Sequence, residues 1–162
     1  MKKHRRWSRV LIVLMPILSP VLGSAPLEAA DVTLGPGQTM VLDHDIVLSG
    51  ADAFDVEGTA GQPCLIEGQG FGISSADGWN GKFVARSCTF HSVGTVDVLA
   101  INVHIANGPS AEVTLEGNTF DASGGLFVAA DEGPMIRVVG NTVLENSVVN
   151  VLMNSTPARS LQ

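Results

Sequence analysis

The sequence predicts an all-β fold, a right-handed parallel β-helix of about five to six short coils that follows an N-terminal signal peptide. Three observations support this prediction: a short segment repeats, apolar residues alternate around each copy, and Gly and Pro turns recur between them. We place the signal peptide at residues 1–30, the β-helix at 31–154 and a C-terminal tail at 155–162.

The first thirty residues have the charge and hydropathy pattern of an export signal. Five Lys and Arg residues precede an apolar run from Val10 to Leu22, which is too short for a comfortable membrane span. Small residues offer two cleavage sites, Gly23-Ser24-Ala25 and Ala29-Ala30, and an uncleaved anchor is the alternative to cleavage. We therefore expect a secreted, periplasmic or cell-envelope protein that makes no membrane contact after cleavage.

The residues after the signal are few and strongly acidic. They suffice for one domain, and they hold four basic residues against fifteen carboxylates, a net charge of −11. The phosphates of nucleic acid and of anionic lipid would repel such a surface, whereas cations would be attracted to it. Nucleic acid is therefore excluded as an expected partner.

Four short segments share a pattern that ends in an aromatic residue or valine. They are Gly68–Phe71, Ser87–Phe90, Gly117–Phe120 and Gly140–Val143. Their second residues, taken as reference positions, are spaced by 19, 30 and 23 residues. A repeat of about two dozen residues is typical of a solenoid, in which each coil buries its apolar face against the next.

Apolar residues alternate on both sides of the reference positions, as in strands with one buried face. The expected first strands hold Cys64/Ile66, Phe83/Ala85, Val113/Leu115 and Ile136/Val138, and the expected second strands hold Val96/Val98, Leu126/Val128 and Val149/Val151. We place a third short strand at Ile101 to Ile105, and the first one or two coils in residues 31–58. A β-sandwich also has short strands and tight turns, but it would not explain these fixed offsets.

Asparagine at positions 118 and 141 suits the bend between strands. It tolerates left-handed backbone, and its amide can hydrogen-bond to the same amide one coil above. These segments resemble the V-x-G-N-T-F pattern of bacterial members of the pectate-lyase-like superfamily of right-handed parallel β-helices, over about residues 60–154. The resemblance implies the fold, while the superfamily includes lyases, hydrolases and adhesins.

Lyases of this superfamily use acidic residues to hold calcium against a uronate and an Arg or Lys as base, and the resemblance makes Glu67, Arg86 and Glu116 candidate catalytic residues. Each stands two residues before a reference position, so adjacent coils would stack an arginine between two acids. The alternative is a surface ion-pair ladder, which contributes little stability. No compact group of several Asp residues accompanies the three, so we favour the ladder.

Two further candidates concern binding. Asp43 and Asp45 flank His44 and fall on one face, where they could share a calcium ion, although a solvated edge is the favoured interpretation because no third ligand is visible. Trp79 is the only tryptophan after the expected signal peptide, and it is the first residue to probe for ligand contact. The alternative is that Trp79 belongs to the core or caps the helix. We expect no cofactor other than this possible Ca²⁺.

The two cysteines are expected to be free, buried thiols. Cys64 falls five residues before its reference position and Cys88 falls on its own. Five residues of strand correspond to roughly 16 Å, which exceeds the Cα–Cα limit of about 7 Å for a disulfide.

Taken together, these patterns favour an exported, non-catalytic module of the cell envelope or extracellular space that recognises carbohydrate or another surface component, or a truncated piece of a larger β-helix protein. The alternative is a polysaccharide lyase or glycosidase. Apolar positions continue through Val149, Val151 and Met153, so the last coil would present unpaired backbone and an apolar column. We therefore also expect end-to-end self-association.

Overall fold

Three parallel sheets, each built from one strand of every coil, form the described part of the protein. The computed structural model describes residues 31–106, 108, 110–131, 134–144 and 149–151, the last three by their backbone alone. The expected signal peptide and C-terminal tail lie outside the described residues. In the described part of the chain there is no helix, and hence none that is long and apolar enough to cross a membrane.

The strands of the three sheets are as follows. Sheet 1 contains β1 (Val32–Leu34), β4 (Ala53–Glu57), β7 (Lys82–Arg86), β10 (Glu112–Glu116) and β13 (Met135–Val139). Sheet 2 contains β2 (Thr39–Val41), β5 (Cys64–Glu67), β8 (Cys88–His91), β11 (Thr119–Asp121) and β14 (Thr142–Val143). Sheet 3 contains β3 (Ile46–Leu48), β6 (Ile73–Ser75), β9 (Ile101–Ile105), β12 (Leu126–Ala130) and β15 (Val149–Val151). Five described coils of three strands each confirm the parallel β-helix.

The register of sheet 1 confirms three of the four predicted first strands. Phe83, Val113 and Ile136 stand opposite one another in successive coils, as the alternation predicted. The fourth assignment was wrong, because Phe54 rather than Cys64 continues this row. Cys64 belongs to sheet 2, where it stands opposite Cys88.

The misplacement has a local cause. Residues 58–63 connect β4 to β5, whereas Ser87 alone connects β7 to β8. Aligning Gly68-Gln69 with Ser87-Cys88 therefore matched two different turns of the coil. The true equivalent of Gly68 lies after β8, since the Gly68 amide donates to the His91 carbonyl.

One second strand was also misplaced, because the loop after β8 is longer than the equivalent loops of the other coils. Val96 and Val98 are 95% and 41% exposed and lie in the loop between β8 and β9. Their predicted place opposite Leu126 and Val128 is taken by Ile101 and Val103. The third strand predicted at Ile101 to Ile105 is thus confirmed, and it is the sheet 3 strand of its coil.

Stacked side chains fill the space between the sheets. Phe54 lies on Phe83, and Phe90 lies on Phe120, each pair with ring centroids 4.8 Å apart and nearly parallel planes. Phe54, Phe83 and Phe90 are fully buried. Burial of one such side chain stabilises the folded state by about 1.5–3 kcal/mol. The two phenylalanine stacks therefore account for much of the stability of the coils.

The predicted asparagine ladder is present at the bend between sheets 1 and 2. The Asn118 amide donates to Asn141 Oδ1 at 3.0 Å, and Asn118 Oδ1 accepts from the Cys88 amide at 3.0 Å. The left-handed backbone, however, belongs to the residue before each asparagine: φ is 63° at Gly117 and 65° at Gly140. Asparagine therefore stabilises the bend through the hydrogen bonds of its side-chain amide, and glycine supplies the left-handed backbone.

The prediction of free thiols was wrong. Cys64 and Cys88 form a disulfide between directly opposite residues of β5 and β8, with their Cα atoms 4.5 Å apart, and both are buried. The offset of five residues came from the misaligned first unit. The bond joins the second coil to the third.

Candidate functional site

The outward face of sheet 1 carries a network of ion pairs. Arg86 lies in the middle, with Glu57 at 2.5 Å, Glu116 at 3.7 Å and Glu112 at 3.9 Å. Arg137 binds Glu116 at 2.9 Å. The arginine between acids was predicted, but Glu57 rather than Glu67 stands opposite Arg86.

Lys82 and Asp55 extend the network, with a hydrogen bond of 2.7 Å that raises the pKa of Lys82. At the other end, the hydrogen bond from Arg137 holds the pKa of Glu116 below its ordinary value. Val84 and Thr114 lie on this outward face, yet both are fully buried, which indicates that the long charged side chains cover them. The arrangement is that of a charged surface layer, with Arg86 engaged as a counter-ion.

Glu67 instead lies on the outward face of sheet 2. His91 stands opposite it in the next coil, and His91 Nδ1 lies 2.8 Å from Glu67 Oε2. This hydrogen bond raises the pKa of His91, with a smaller contribution from the charge of Asp121 in the following coil. The structure therefore separates the three candidate catalytic residues into two faces.

Asp43 and Asp45 do not converge on a shared ion. Asp43 Oδ1 lies 2.5 Å from Nδ1 of the neighbouring His44, at an exposed position. Asp45 Oδ1 accepts a hydrogen bond of 2.8 Å from the Gly72 amide in the next coil. Among the described residues, no group of three or more His, Cys, Asp or Glu side chains is placed to hold a metal ion.

Trp79 is fully buried, so its ring is not available as a platform for a ligand. Its indole Nε1 donates to the Asp52 carbonyl at 2.9 Å, which joins two coils. The core role that was the alternative interpretation agrees with this position.

A cleft of about 310 Å³ opens at the corner between sheets 2 and 3, and we call it the corner cleft. Its lining residues are Asp45, Gly72, Ile73, Ser74, Asp97, Val98, Leu99 and Asn102. Ser74 and Asn102 are paired neighbours on β6 and β9, and they face outward because Ile73 and Ile101 point into the core. The floor is therefore polar and set by two rigid strands.

A long loop forms the wall of the corner cleft. Residues 92–100 connect β8 to β9, where the equivalent connections in the coils before and after span only residues 68–72 and 122–125. Thr95 fixes the loop: its amide donates to the Val98 carbonyl at 2.8 Å, and its hydroxyl accepts from the amides of Asp97 and Val98. A Cβ on Gly124 would lie 2.1 Å from the Val98 oxygen, so glycine is needed for the loop to pack on the next coil.

The corner cleft combines two carboxylates, a hydroxyl, an amide and an apolar wall. Asp45 comes from the first coil and Asp97 from the long loop of the third, so residues far apart in sequence meet at one opening. Of these residues, Asp45 alone was a candidate binding residue from the sequence. The available signal was the insertion itself, since Val96 to Leu99 lengthen one turn of the repeat and leave Val96 almost fully exposed.

Comparison of the chain with protein-family models, with curated proteins and with solved structures gave no match.

Proposed function

We propose that this protein is an exported, non-catalytic β-helix module that binds a small ligand in the corner cleft. The observation that carries the proposal is the cleft itself. About 310 Å³ lies at the lower end of the range for small-molecule sites, and a partly apolar lining with a few polar groups is their usual composition. The strands beneath it supply the rigid support that a binding site requires.

Two further observations support parts of the proposal. A disulfide between Cys64 and Cys88 fits an oxidising compartment, as expected for an exported protein. The network around Arg86 supports the non-catalytic part, because the side chain is surrounded by three carboxylates, whereas a lyase base must be within reach of a substrate proton.

The test is a thermal-shift and ligand-observed NMR screen of the purified, oxidised protein. The panel contains neutral sugars, uronic acids, amino acids, primary amines and Ca²⁺. Asn102→Phe fills the corner cleft with an aromatic ring. The sheet should accept this ring, because Phe127 stands directly opposite Asn102 in the next coil. Thr119→Phe, on the outward face of sheet 2, is the matched control.

The proposal expects at least one ligand that binds the parent protein and Thr119→Phe but not Asn102→Phe, and that is recovered chemically unchanged. Equal binding by the two variants would place the site elsewhere and contradict the proposal. Turnover of pectate or alginate to an unsaturated uronate, abolished in Arg86→Ala, would instead favour the lyase alternative.

A further inference from the structure

We infer that the ligand of the corner cleft is a small organic cation, a primary amine or diamine with a short aliphatic body. This inference rests on the proposed binding function and specifies the chemistry of its ligand. It follows from the charge, the size and the apolar wall of the cleft taken together.

The charge of the cleft selects a cation. Asp45 and Asp97 are its two ionisable lining residues, and no Lys, Arg or His is among the described residues that line it. Asp45 already accepts from the neutral Gly72 amide, which leaves its negative charge uncompensated. A bound ammonium would gain charge-assisted hydrogen bonds of the kind that are about twice as strong as neutral ones.

The distribution of charge over the rest of the molecule reinforces this selection. Lys82, Arg86 and Arg137, the Lys and Arg residues of the described chain, all lie on the outward face of sheet 1, and each is ion-paired there. The corner cleft lies on the opposite side of the coil, between sheets 2 and 3, where the charged groups of the described residues are acidic apart from histidines. Such a field concentrates cations near the opening and raises their association rate.

Size and lining favour an organic cation over a metal ion. A calcium ion takes six to eight oxygen ligands at about 2.3–2.6 Å, a demand that suits a tight loop rather than an open cleft of about 310 Å³. Val98 and Leu99 form an apolar wall that methylene groups would cover. Ser74 and Asn102 on the floor offer further oxygen acceptors for ammonium donors.

The experiment is isothermal titration calorimetry of the purified, oxidised protein with cadaverine as the probe. Pentanediol has the same chain length without charge, and CaCl₂ tests the metal. Asp97→Asn removes one cleft charge at an exposed position, and Asp45→Asn removes the other while it retains an oxygen for the Gly72 amide. Asp131→Asn, directly after β12 and outside the residues that line the cleft, is the matched control for a change in overall charge.

We expect cadaverine to bind and pentanediol not to bind. Asp97→Asn and Asp45→Asn should each weaken the affinity about three- to fivefold, the upper end of what an exposed ion pair contributes, while Asp131→Asn leaves it within about 1.5-fold. Added salt should weaken binding as well.

Equal binding of cadaverine and pentanediol, or binding of CaCl₂ alone, would overturn the inference but leave the proposed binding function intact. Cadaverine binding that Asp131→Asn weakens as much as Asp97→Asn would show diffuse attraction to an acidic surface and would also overturn it. If no member of the wider panel binds in the cleft, the proposed function itself fails.

Discussion

The side-chain amide of Asn118 joins three coils: it donates to Asn141 Oδ1 at 3.0 Å and to the Ala85 carbonyl at 2.8 Å, and its oxygen accepts from the Cys88 amide at 3.0 Å. Asn118 is fully buried, so these groups have no access to water. The bend between sheets 1 and 2 is therefore stabilised by one polar side chain that spans its neighbours on both sides.

Asn118→Ala should destabilise the protein by about 2–4 kcal/mol, because it removes the acceptor of the buried Cys88 amide together with the hydrogen bonds to the Ala85 carbonyl and to Asn141. Asn141→Ala, one coil later and only half-buried, is the matched control and should cost less. The free energy of unfolding in urea measures both. Equal losses of unfolding free energy in the two variants would show that the greater burial of Asn118 does not increase its contribution to stability.

Replacement of both Cys64 and Cys88 by alanine should lower the free energy of unfolding by about 2–4 kcal/mol, through the lost constraint on a loop of this length in the unfolded chain. The circular dichroism of the folded variant should remain that of a β protein, since the two residues are already opposite each other in the ladder. Peptide mapping of the parent without reductant should recover Cys64 linked to Cys88. Two freely alkylatable thiols in the parent would contradict the disulfide.

The pair of His91 and Glu67 predicts a pH dependence of local stability. Because the pKa of His91 is raised in the folded state, its stabilising contribution is complete below the unfolded value of about 6.5 and is lost as pH rises through the folded pKa. An NMR titration of the His91 ring should give a midpoint above the ordinary value. Glu67→Gln should lower that midpoint, and an unchanged midpoint would show that the hydrogen bond does not form in solution.

The exposed apolar end of the described coils bears on the predicted self-association. Val143 occupies the inward position that Phe120 fills one coil earlier, yet it is 37% exposed where Phe120 is 2% exposed. Val143→Lys should therefore reduce any concentration-dependent association seen by sedimentation velocity, whereas Val96→Lys, at an exposed loop position, should not. Monomer at all concentrations in the parent would make the prediction of end-to-end association wrong.

The sequence predicted the coils well where the turns were short and alike. Phe83, Val113 and Ile136 share an offset from the bend because similar tight turns follow their strands. The second coil was misaligned since residues 58–63 lengthen a turn, and a glycine-rich segment at 68–71 resembled the bend of later coils. Periodicity reports which residues face inward, but it does not fix which strands pair when turn lengths vary.

The corner cleft was beyond prediction for a different reason. It depends on how far the loop at 92–100 extends over sheet 3 and on its meeting with Asp45 from the first coil. Contacts between coils follow from the register, and the register of β5 and β8 was the part that the sequence left ambiguous. Once Ile101 to Ile105 is recognised as the strand, the preceding insertion with its exposed valines marks the site.

Binding of cadaverine in the corner cleft can be located by amide NMR of the isotope-labelled, oxidised protein during titration with this diamine. We expect saturable shift changes confined to residues 45, 72–74 and 97–102, with the ion-paired face of sheet 1 unaffected. Changes spread over all acidic residues, or centred on Glu57, Glu112 and Glu116, would contradict it.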